Sequence, residues 1–456
     1  MQRPANRKHQ AVRSLLLLGL SVLLPVVLSA QPAPTLVLRH GVLIDGTGVA
    51  PVEDDTVVIS GDKIVAVGPS QTVPIPRGSR VIELHGKTIM PGLADMHVHL
   101  VGGWDGNAVD MLGYQRYLNA LLYAGVTTVM DTGNVQPFIV QMRAEIAAGR
   151  LLGPRIYCVG SIVDGADPVW PPISYAVASV AQIPRIVARL KADRVDFIKA
   201  YVGLSHPQIR ALVEEGHKVG LGVLVDQWIL NGSPDIVDDG IYAFAHLPTR
   251  ALDPSFLTRP PGRAIRFITT LAVHESFARR RLADAHFLAE PLIADTTPLA
   301  FMTAMQAEVH RALSVDEQAQ LPRRREGFAQ AMRNAKALAD AGVLMAAGTD
   351  APYPGDAQGE GLHRELELLV EAGLTPLQAI AVATGNAGRF VNDESWGTLK
   401  PGNRADVLVI NGHPDRTISD SRKIEMVIRA GKILDRARLK LNPATDPGYE
   451  ASSPAG

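Results

Sequence analysis

The stretch Pro91-Gly92-Leu93-Ala94-Asp95-Met96-His97-Val98-His99-Leu100 places two histidines one residue apart at the end of an apolar run. In a β-strand, side chains two residues apart point to the same side. His97 and His99 can therefore present two imidazoles to one metal ion, while Val98 points the other way. An H-x-H pair is a weak motif by itself, and two polar residues at a strand end explain it equally well. The rest of the chain has to decide between these interpretations.

Three further apolar, strand-like runs each end in a residue whose side chain binds metals or is found beside metal sites. One run leads to Lys199, a second to His246 and a third to Asp350. In a (β/α)8 barrel all eight strand ends converge on one face, where active sites are built. The regular position of these residues predicts an α/β fold of the TIM-barrel type, with His97 and His99 at the same face.

Length and composition limit the class of protein. The 456 residues are enough for one large barrel and an accessory domain, and a hydrophobic content of 46% is that of a globular protein. The net charge of -1 and the lack of a basic stripe argue against nucleic acid as a partner. A small molecule is the expected partner, and the sequence leaves a homo-oligomer open. The single cysteine, Cys158, excludes an intrachain disulfide and is expected to be a buried small residue.

Residues 1–30 have the pattern of a signal peptide. Four basic residues precede an apolar run from Leu15 to Leu28, and Ser29-Ala30 supplies small residues for cleavage. The pattern predicts a secreted or periplasmic protein without a stable membrane span in its mature form. An uncleaved membrane anchor is the alternative, although the apolar run is short for a full span.

The remaining chain is predicted to form two domains. Residues 31–90 and 394–440 contain short β-branched runs separated by glycine-rich turns, which predicts a small β-sandwich built from both chain ends. Residues 91–393 alternate strand and helix patterns, as a parallel barrel requires. Residues 441–456 are rich in Pro, Ala, Ser and Gly and are predicted to be a disordered tail.

Local signals place several elements within the barrel. Ser205 with Gln208 and Thr375 with Gln378 have the spacing of capping boxes and predict helix starts. The apolar run 267–273 predicts a strand. The polar segment 275–325 after it is predicted to be a helical insertion on the catalytic side, in a position to form a lid.

Several motifs together resemble the amidohydrolase superfamily, close to its secreted imidazolonepropionase-like and Xaa-Pro dipeptidase-like branch. The resemblance covers most of the mature chain, and the order and spacing of the motifs make it specific. These motifs are GVLIDGTG (41–48), PGLADMHVHL (91–100), GVTTVMD (125–131), Ile198-Lys199, Ala245-His246, Gly348-Thr349-Asp350, LHREL (362–366), GLTP (373–376) and GNRADVLV (402–409).

The resemblance implies a role for each candidate ligand. His97, His99 and Asp350 would hold the more buried of one or two divalent ions, expected to be zinc. Lys199, carboxylated by carbon dioxide, would bridge the two ions, and His246 would bind the second. Asp350 would also be the catalytic residue that moves a proton between water and the leaving amine. A snorkelling lysine and an ordinary core or surface histidine are the alternatives for Lys199 and His246.

One position departs from the family pattern. The strand before His246 should end in a second histidine for the outer metal, but the residue here is Asp226. Aspartate can bind zinc through one oxygen, or it can be a non-ligand. His217 precedes that strand and lies at its wrong end. The sequence therefore leaves the outer metal site altered, weak or empty.

The leading hypothesis is a secreted metal-dependent hydrolase that cleaves an amide-type C–N bond in a dipeptide, an N-acyl amino acid or a cyclic amide. A superfamily deaminase is one alternative, and Lys199 argues against it because that branch does not use a bridging carboxylated lysine. A non-catalytic binding protein with a degraded outer site is the other. The candidate loops also carry four residues that either orient the substrate or are structural: Tyr201, His274, Glu275 and His363.

Overall fold

The computed structural model of the protein describes residues 35–100, 114–226, 234–258 and 265–441. The predicted signal peptide, residues 1–30, lies outside this range, and so does the predicted tail beyond Leu441. In these four segments, no helix combines the length and the apolar character needed to cross a membrane.

The strands follow one another in two groups at the chain ends and one group between them. In chain order they are β1 (Thr35–Leu43), β2 (Val52–Ser60), β3 (Lys63–Pro69), β4 (Arg80–Glu83), β5 (Thr88–Pro91), β6 (Leu93–Val98), β7 (Val126–Asp131), β8 (Arg155–Cys158), β9 (Ile162–Asp164), β10 (Ser174–Ala176), β11 (Phe197–Ala200), β12 (Gly222–Val225), β13 (Ala243–Phe244), β14 (Phe267–Ile268), β15 (Met345–Ala346), β16 (Val407–Ile410), β17 (Ile424–Arg429) and β18 (Lys432–Ile433).

The α-helices lie between the barrel strands and after the last of them. In chain order they are α1 (Tyr114–Tyr123), α2 (Phe138–Ala147), α3 (Ile183–Ala192), α4 (His206–Val219), α5 (Pro234–Asp238), α6 (Leu271–Phe277), α7 (Pro291–Ala294), α8 (Leu299–His310), α9 (Val315–Asp340), α10 (Glu360–Glu371), α11 (Pro376–Val382) and α12 (Gly385–Phe390).

Eight parallel strand positions close into a barrel. β6, β7 and β8 pair in parallel, and β9, β11, β12, β13, β14 and β15 form a second parallel run. The third position is divided between β8 and β9, and Asp196 N–H donates to Cys158 O at 2.8 Å to join it to the fourth. The barrel closes where Met96 N–H donates to Ala347 O, also at 2.8 Å. The predicted fold class is therefore confirmed.

Strands from both chain ends form one mixed sheet beside the barrel. Its order is β18-β17-β16-β5-β1-β2-β3, and β4 pairs with the first half of β1. β1 pairs with β5 through its second half, so the sheet divides into two branches there. Buried side chains from both ends, among them Leu38, Ile59, Ile89 and Val409, form a single apolar core. The exact domain limits, 31–90, 91–393 and 394–440, stay predictions.

The predicted strand over 267–273 is wrong beyond its second residue. Thr269 N–H still donates to Ala346 O at 3.1 Å, but Thr270 has a left-handed backbone with φ 47° that turns the chain into α6. Glu365 accepts from Ala272 N–H at 2.7 Å and so satisfies the start of this helix. A short apolar run cannot by itself distinguish a buried strand from a buried helix.

The predicted helix starts are confirmed. Ser205 N–H donates to the Gln208 side chain at 2.8 Å at the start of α4, and Thr375 and Gln378 bond reciprocally at the start of α11. The insertion is helical as predicted, since α6, α7, α8 and α9 all lie between β14 and β15. His217 lies on the exposed side of α4, away from the strand ends.

A glycine allows the eighth strand position to approach the first. A Cβ atom at Gly348 would lie 2.7 Å from His97 Cβ and 2.5 Å from Ile268 Cγ2, closer than real contacts allow. Both neighbours belong to barrel strands, so they cannot move aside independently. The glycine therefore fixes how closely His97 approaches the end of β15.

We expect Gly348→Ala to lower the free energy of unfolding by about 1–3 kcal/mol, the usual cost of overpacking, and to weaken metal retention by displacing His97. Gly86→Ala is the control, because a Cβ there meets nothing within 4 Å and only the left-handed backbone resists it. Urea denaturation and elemental analysis after dialysis give both quantities. A Gly348→Ala protein with unchanged stability and metal content would show that this approach has no such role.

Candidate metal centre

Three of the predicted ligands meet at the ends of the first and eighth barrel positions. His97 lies in β6, His99 follows that strand, and Asp350 follows β15. Nε2 of His97 and Nε2 of His99 lie 3.2 and 3.0 Å from Asp350 Oδ1. The possible ligand atoms of the three side chains all lie within 4.8 Å of one another. We refer to these three residues as the inner cluster.

The hydrogen bonds of the two rings leave their Nε2 atoms as acceptors. Nδ1 of His97 lies 2.8 Å from Ala245 O, and Nδ1 of His99 lies 3.0 Å from Gly133 O. A carbonyl oxygen only accepts, so each Nδ1 carries a hydrogen, and each ring in its neutral form turns a lone pair toward the Asp350 carboxylate. Three acceptors that face one another need a shared cation. Two imidazoles held by backbone carbonyls, together with a carboxylate, are a donor set that fits zinc.

Electrostatics distinguish the two rings. Burial, followed by the charge of Lys199, lowers the pKa of His97 to about 3, so that its ring is neutral. Burial also acts to lower the pKa of His99, but hydrogen bonding to Asp350 raises it overall. His99 therefore takes a proton readily when no metal ion shares its lone pair.

Backbone strain positions Asp350. Its φ of 72° lies in the left-handed region, which is uncommon for a residue other than glycine. The Asp350 N–H donates to His97 O at 2.7 Å, and the side chain of Asp95 accepts from Thr349 N–H at 3.0 Å and from Thr349 Oγ1 at 2.8 Å. Asp95 also accepts from His97 N–H at 3.2 Å. Asp95 thus ties the two strand ends together, a role that sequence reasoning missed although the residue precedes His97 by two positions.

The other three predicted ligands form a second group, the outer cluster. Lys199 Nζ forms an ion pair with Asp226 Oδ2 at 3.3 Å, and Nε2 of His246 lies 3.2 Å from the same oxygen. Nδ1 of His246 lies 2.8 Å from the Thr270 hydroxyl. Burial acts to raise the pKa of Asp226, but His246 and Lys199 hold it at about 2. Here a carboxylate faces a cation, so the outer cluster balances its charge without a metal ion.

The two clusters are in contact. Lys199 Nζ lies 3.5 Å from His97 Nε2, and the rings of His97 and His246 have centroids 4.5 Å apart. The structure therefore brings all six predicted ligands into one group: His97, His99, Lys199, Asp226, His246 and Asp350.

The four residues placed on candidate loops divide into two pairs. Tyr201 and His274 line the same cavity as the clusters. Glu275 instead binds Arg364 at 2.6 and 2.8 Å, and His363 contacts Ser421 Oγ and a backbone carbonyl at 2.9 Å each.

The predicted loop positions are wrong for three of them. His274 and Glu275 lie on α6, and His363 lies on α10. Glu275 and His363 are therefore structural residues, whereas Tyr201 and His274 face the site.

A cavity of about 550 Å³ opens above the clusters. That volume lies within the range of small-molecule sites. Its wall is largely apolar and aromatic, and comes from segments that follow the barrel strands and from the insertion. Besides the six ligands, the lining residues are Thr132, Gly133, Ile162, Trp170, Pro172, Ile173, Tyr201, Val202, Thr249, His274, Phe277, Arg323, Arg324, Gly327, Pro352 and Tyr353.

Comparison with known proteins identifies the family. The sequence model of the amidohydrolase family matches residues 88–434, which is most of the chain. The chain belongs to the amidohydrolase family. The resemblance predicted from the sequence is confirmed, and so, at the level of the family, is the prediction of a hydrolase. This amidohydrolase has its His-His-Asp cluster at the face of the barrel where the family prediction placed a metal.

Individual relatives of this amidohydrolase are distant. It is 23% identical to adenine deaminase 3 of Rhizobium meliloti (strain 1021) over 443 residues, 94% of this chain and 62% of the relative. It is 25% identical to an imidazolonepropionase of Yersinia pseudotuberculosis over 213 residues, 38% of this chain and 52% of the relative. The chain therefore spans less than two thirds of either relative.

Solved structures share the fold. The structure of a Xaa-Pro dipeptidase with methionine bound in its active site superimposes with a TM-score of 0.70, at 20% identity, over 88% of this chain and 99% of that one. At this identity the superposition shows a shared fold. The reaction of this amidohydrolase has to be inferred from its own residues.

Buried carboxyl groups lie behind the site. Burial raises the pKa of Asp95 to about 8, that of Glu365 to about 7 and that of Asp131 to about 6, despite the hydrogen bonds that each accepts. Glu365 accepts from Thr269 Oγ1 and from Ala272 N–H at the start of α6. These groups hold protons in the folded state that the unfolded chain releases near pH 4.

In the metal-free protein we expect the contribution of Glu365 to stability to fall as the pH rises from about 5 to about 7, because in this window its folded form holds a proton that the unfolded chain has released. Glu365→Gln removes one such group. The slope of its stability against pH should be more positive than that of the unmodified protein by up to about 1.4 kcal/mol per pH unit, although its stability is lower overall. Urea denaturation at several pH values in a chelator measures both slopes. Asp95 contributes to both proteins alike, so identical slopes would contradict the raised pKa of Glu365.

Proposed function

We propose that this chain is a metal-dependent hydrolase that cleaves an amide-type C–N bond, as in a dipeptide, an N-acyl amino acid or a cyclic amide. The observation that carries the proposal is the inner cluster, in which three acceptor atoms face one another beneath an apolar cavity. The family supports a hydrolase, and the cavity supports a small-molecule substrate. Residues 1–30 add the further proposal that the enzyme is exported to the periplasm or the medium.

His97, His99 and Asp350 would hold the principal ion, which we propose to be zinc. Such an ion supplies Lewis-acid chemistry: it polarises a carbonyl oxygen and makes water acidic enough to attack near neutral pH. The protein fixes the geometry in advance, because Ala245 O and Gly133 O hold the two rings in place. The site then needs little rearrangement when the amide arrives.

Asp350 is the proposed proton carrier. Both histidines contact its Oδ1, which leaves Oδ2 to face the reacting atoms. Burial acts to raise the pKa of Asp350, but His97 and His99 lower it well below the usual value because a proton on either ring pairs with the carboxylate, so the group is an ionised acceptor. Oδ2 would take a proton from water as the water oxygen attacks the carbonyl carbon. It would then give the proton to nitrogen as the C–N bond breaks.

The outer cluster would form a weaker position. We propose that Lys199, when carboxylated, bridges to a second ion that His246 and Asp226 bind. In this chain Lys199 Nζ forms an ion pair with Asp226 Oδ2 at 3.3 Å, and carboxylation of the amine would have to break this pair. Aspartate also adds negative charge beside an anionic bridge. The ion pair and the second metal therefore compete for the same side chains.

One tightly held zinc ion per chain is the expected result for the unmodified protein, with a second lost on mild dialysis. Asp226→His removes the competing carboxylate and should raise retained zinc toward two, whereas Asp226→Asn should not. Combining Asp226→His with Lys199→Arg should abolish the gain, because a guanidinium cannot be carboxylated. Elemental analysis after dialysis measures this. Two equally retained ions in the unmodified protein would refute the weak outer position.

For Asp350→Asn, turnover should fall by about 10²–10⁴-fold, the usual contribution of general base catalysis, while the fold and part of the metal remain. Asp393→Asn is a control outside the cavity lining. Kinetics with an amide substrate, alongside the metal content of each variant, test the assignment. Near-normal turnover of a metal-loaded Asp350→Asn protein would place the base elsewhere.

A deaminase is the second candidate, and the match to an adenine deaminase over 94% of this chain favours keeping it. Release of ammonia from an aminopurine, without hydrolysis of amides, would identify that reaction. A non-catalytic binding protein would instead retain no metal in the inner cluster.

A further inference from the structure

The cavity wall carries two cations that belong to neither cluster. Arg323 and Arg324 lie on consecutive positions of α9 and line the cavity, although both side chains are exposed. The metal ligands other than His99 are buried by comparison. The lining therefore has a polar floor, an apolar wall and a cationic mouth.

Neither arginine is neutralised within the segments that the structure describes. No ion pair joins Arg323 or Arg324 to a described carboxylate; Arg324 donates to the Gln320 amide at 3.1 Å and lies 6.0 Å from the Phe277 ring. Other arginines of the same insertion are paired. Examples are Arg279 with Glu308, Arg281 with Glu360 at 2.6 Å and Arg333 with Glu326 at 2.6 Å.

The helix that carries the arginines is fixed relative to the floor. α9 starts with a capping box at Ser314, whose side chain accepts from Glu317 N–H at 3.2 Å. Further along, Phe328 and several later residues of the helix are buried. A Cβ at Gly327 would lie 3.1 Å from Thr249 Cβ, so the helix packs closely on the segment after β13. The backbone that carries the two arginines is thus held in place beside the cavity.

The charges of the cavity lining also favour one class of amide substrate over the others. Asp226 and Asp350 are the carboxylates among the described lining residues, and both face histidines or Lys199 at the floor. The free ammonium of a dipeptide would find no other counter-ion there. A cyclic amide without a carboxylate would leave the two arginines unused. An uncharged acyl nitrogen and a free carboxylate satisfy both constraints.

We infer that the substrate is an N-acyl amino acid with a bulky apolar acyl group, and that Arg323 and Arg324 bind its carboxylate at the mouth of the cavity. This inference rests on the proposed amide hydrolysis. Guanidinium groups bind carboxylates through paired, charge-assisted hydrogen bonds. The apolar acyl group packs on Trp170, Ile173 and Phe277, and the amide bond reaches the inner cluster. Arg323 and Arg324 are specificity residues that act on binding.

The test compares N-benzoyl-leucine with N-benzoyl-leucinamide, which differ in the carboxylate. Calorimetric binding to the zinc-loaded enzyme and the kcat/KM for benzoate release are both measured. We expect the acid to bind at least about tenfold more tightly than the carboxamide, a difference of about 1.4 kcal/mol. The double variant R323A/R324A should lose this preference through KM and leave the carboxamide unaffected. Arg325→Ala is the matched control, because Arg325 is equally exposed but does not line the cavity.

The outcomes separate the two proposals. Acid and carboxamide that bind equally, or an acid that does not bind, would overturn the role of the arginines whether or not turnover occurs. Arginine-dependent binding of the acid without benzoate release would support the anion site and refute amide hydrolysis. A preference that survives in R323A/R324A would place the anion site elsewhere.

Discussion

The site depends on one constraint: two imidazole nitrogens and a carboxylate oxygen are held together as mutual acceptors. Nε2 of His97 and of His99 approach Asp350 Oδ1 at 3.2 and 3.0 Å, and backbone carbonyls on the far side hold a hydrogen on each Nδ1, so that a neutral ring turns its Nε2 lone pair toward that oxygen. Such an arrangement is unfavourable in an isolated chain, because it places lone pairs against one another in a buried place. The barrel maintains it by strand register, by the close approach at Gly348 and by the left-handed backbone of Asp350.

The adjacent outer cluster differs from the inner one because its charges are balanced within the protein. Lys199 and Asp226 complement each other in charge, and His246 completes the group from β13's end. The residue at position 226 produces this difference, because a histidine there would leave Lys199 without its anionic partner Asp226. The two clusters touch through His97 and Lys199, so the charge state of one affects the other. Stability, metal content and reactivity are therefore coupled through the residues of these two clusters.

Much of this arrangement could be predicted from the sequence because strand ends have a fixed meaning in a barrel. The alternation of His97 and His99 and the apolar runs before Lys199, His246 and Asp350 were sufficient to bring the ligands together. What escaped prediction depends on contacts between distant segments. The end of β14 is set by Thr270 and by a glutamate almost a hundred residues later in the chain.

The roles of Asp95 and of the two α9 arginines could not be predicted from the sequence for a similar reason. Asp95 acts through Thr349, which lies 254 residues away. Arg323 and Arg324 belong to an insertion whose helices could be recognised but whose orientation could not. A charged residue on a helix surface is usually solvated. Only the tertiary packing shows that these two arginines border a cavity.

The sheet built from both chain ends has a consequence for synthesis. β5 runs directly into β6 and His97, and its outer neighbour is β16, near the end of the chain; the nearby pair Lys87 and Glu425 is separated by 338 residues. While the ribosome is still translating the barrel, the strand that leads to the first ligand has an unpaired edge. Closure over such a sequence distance makes folding slow and leaves partly made chains prone to association. A truncated product that lacked β16 would keep every ligand and yet lose the support of the first one.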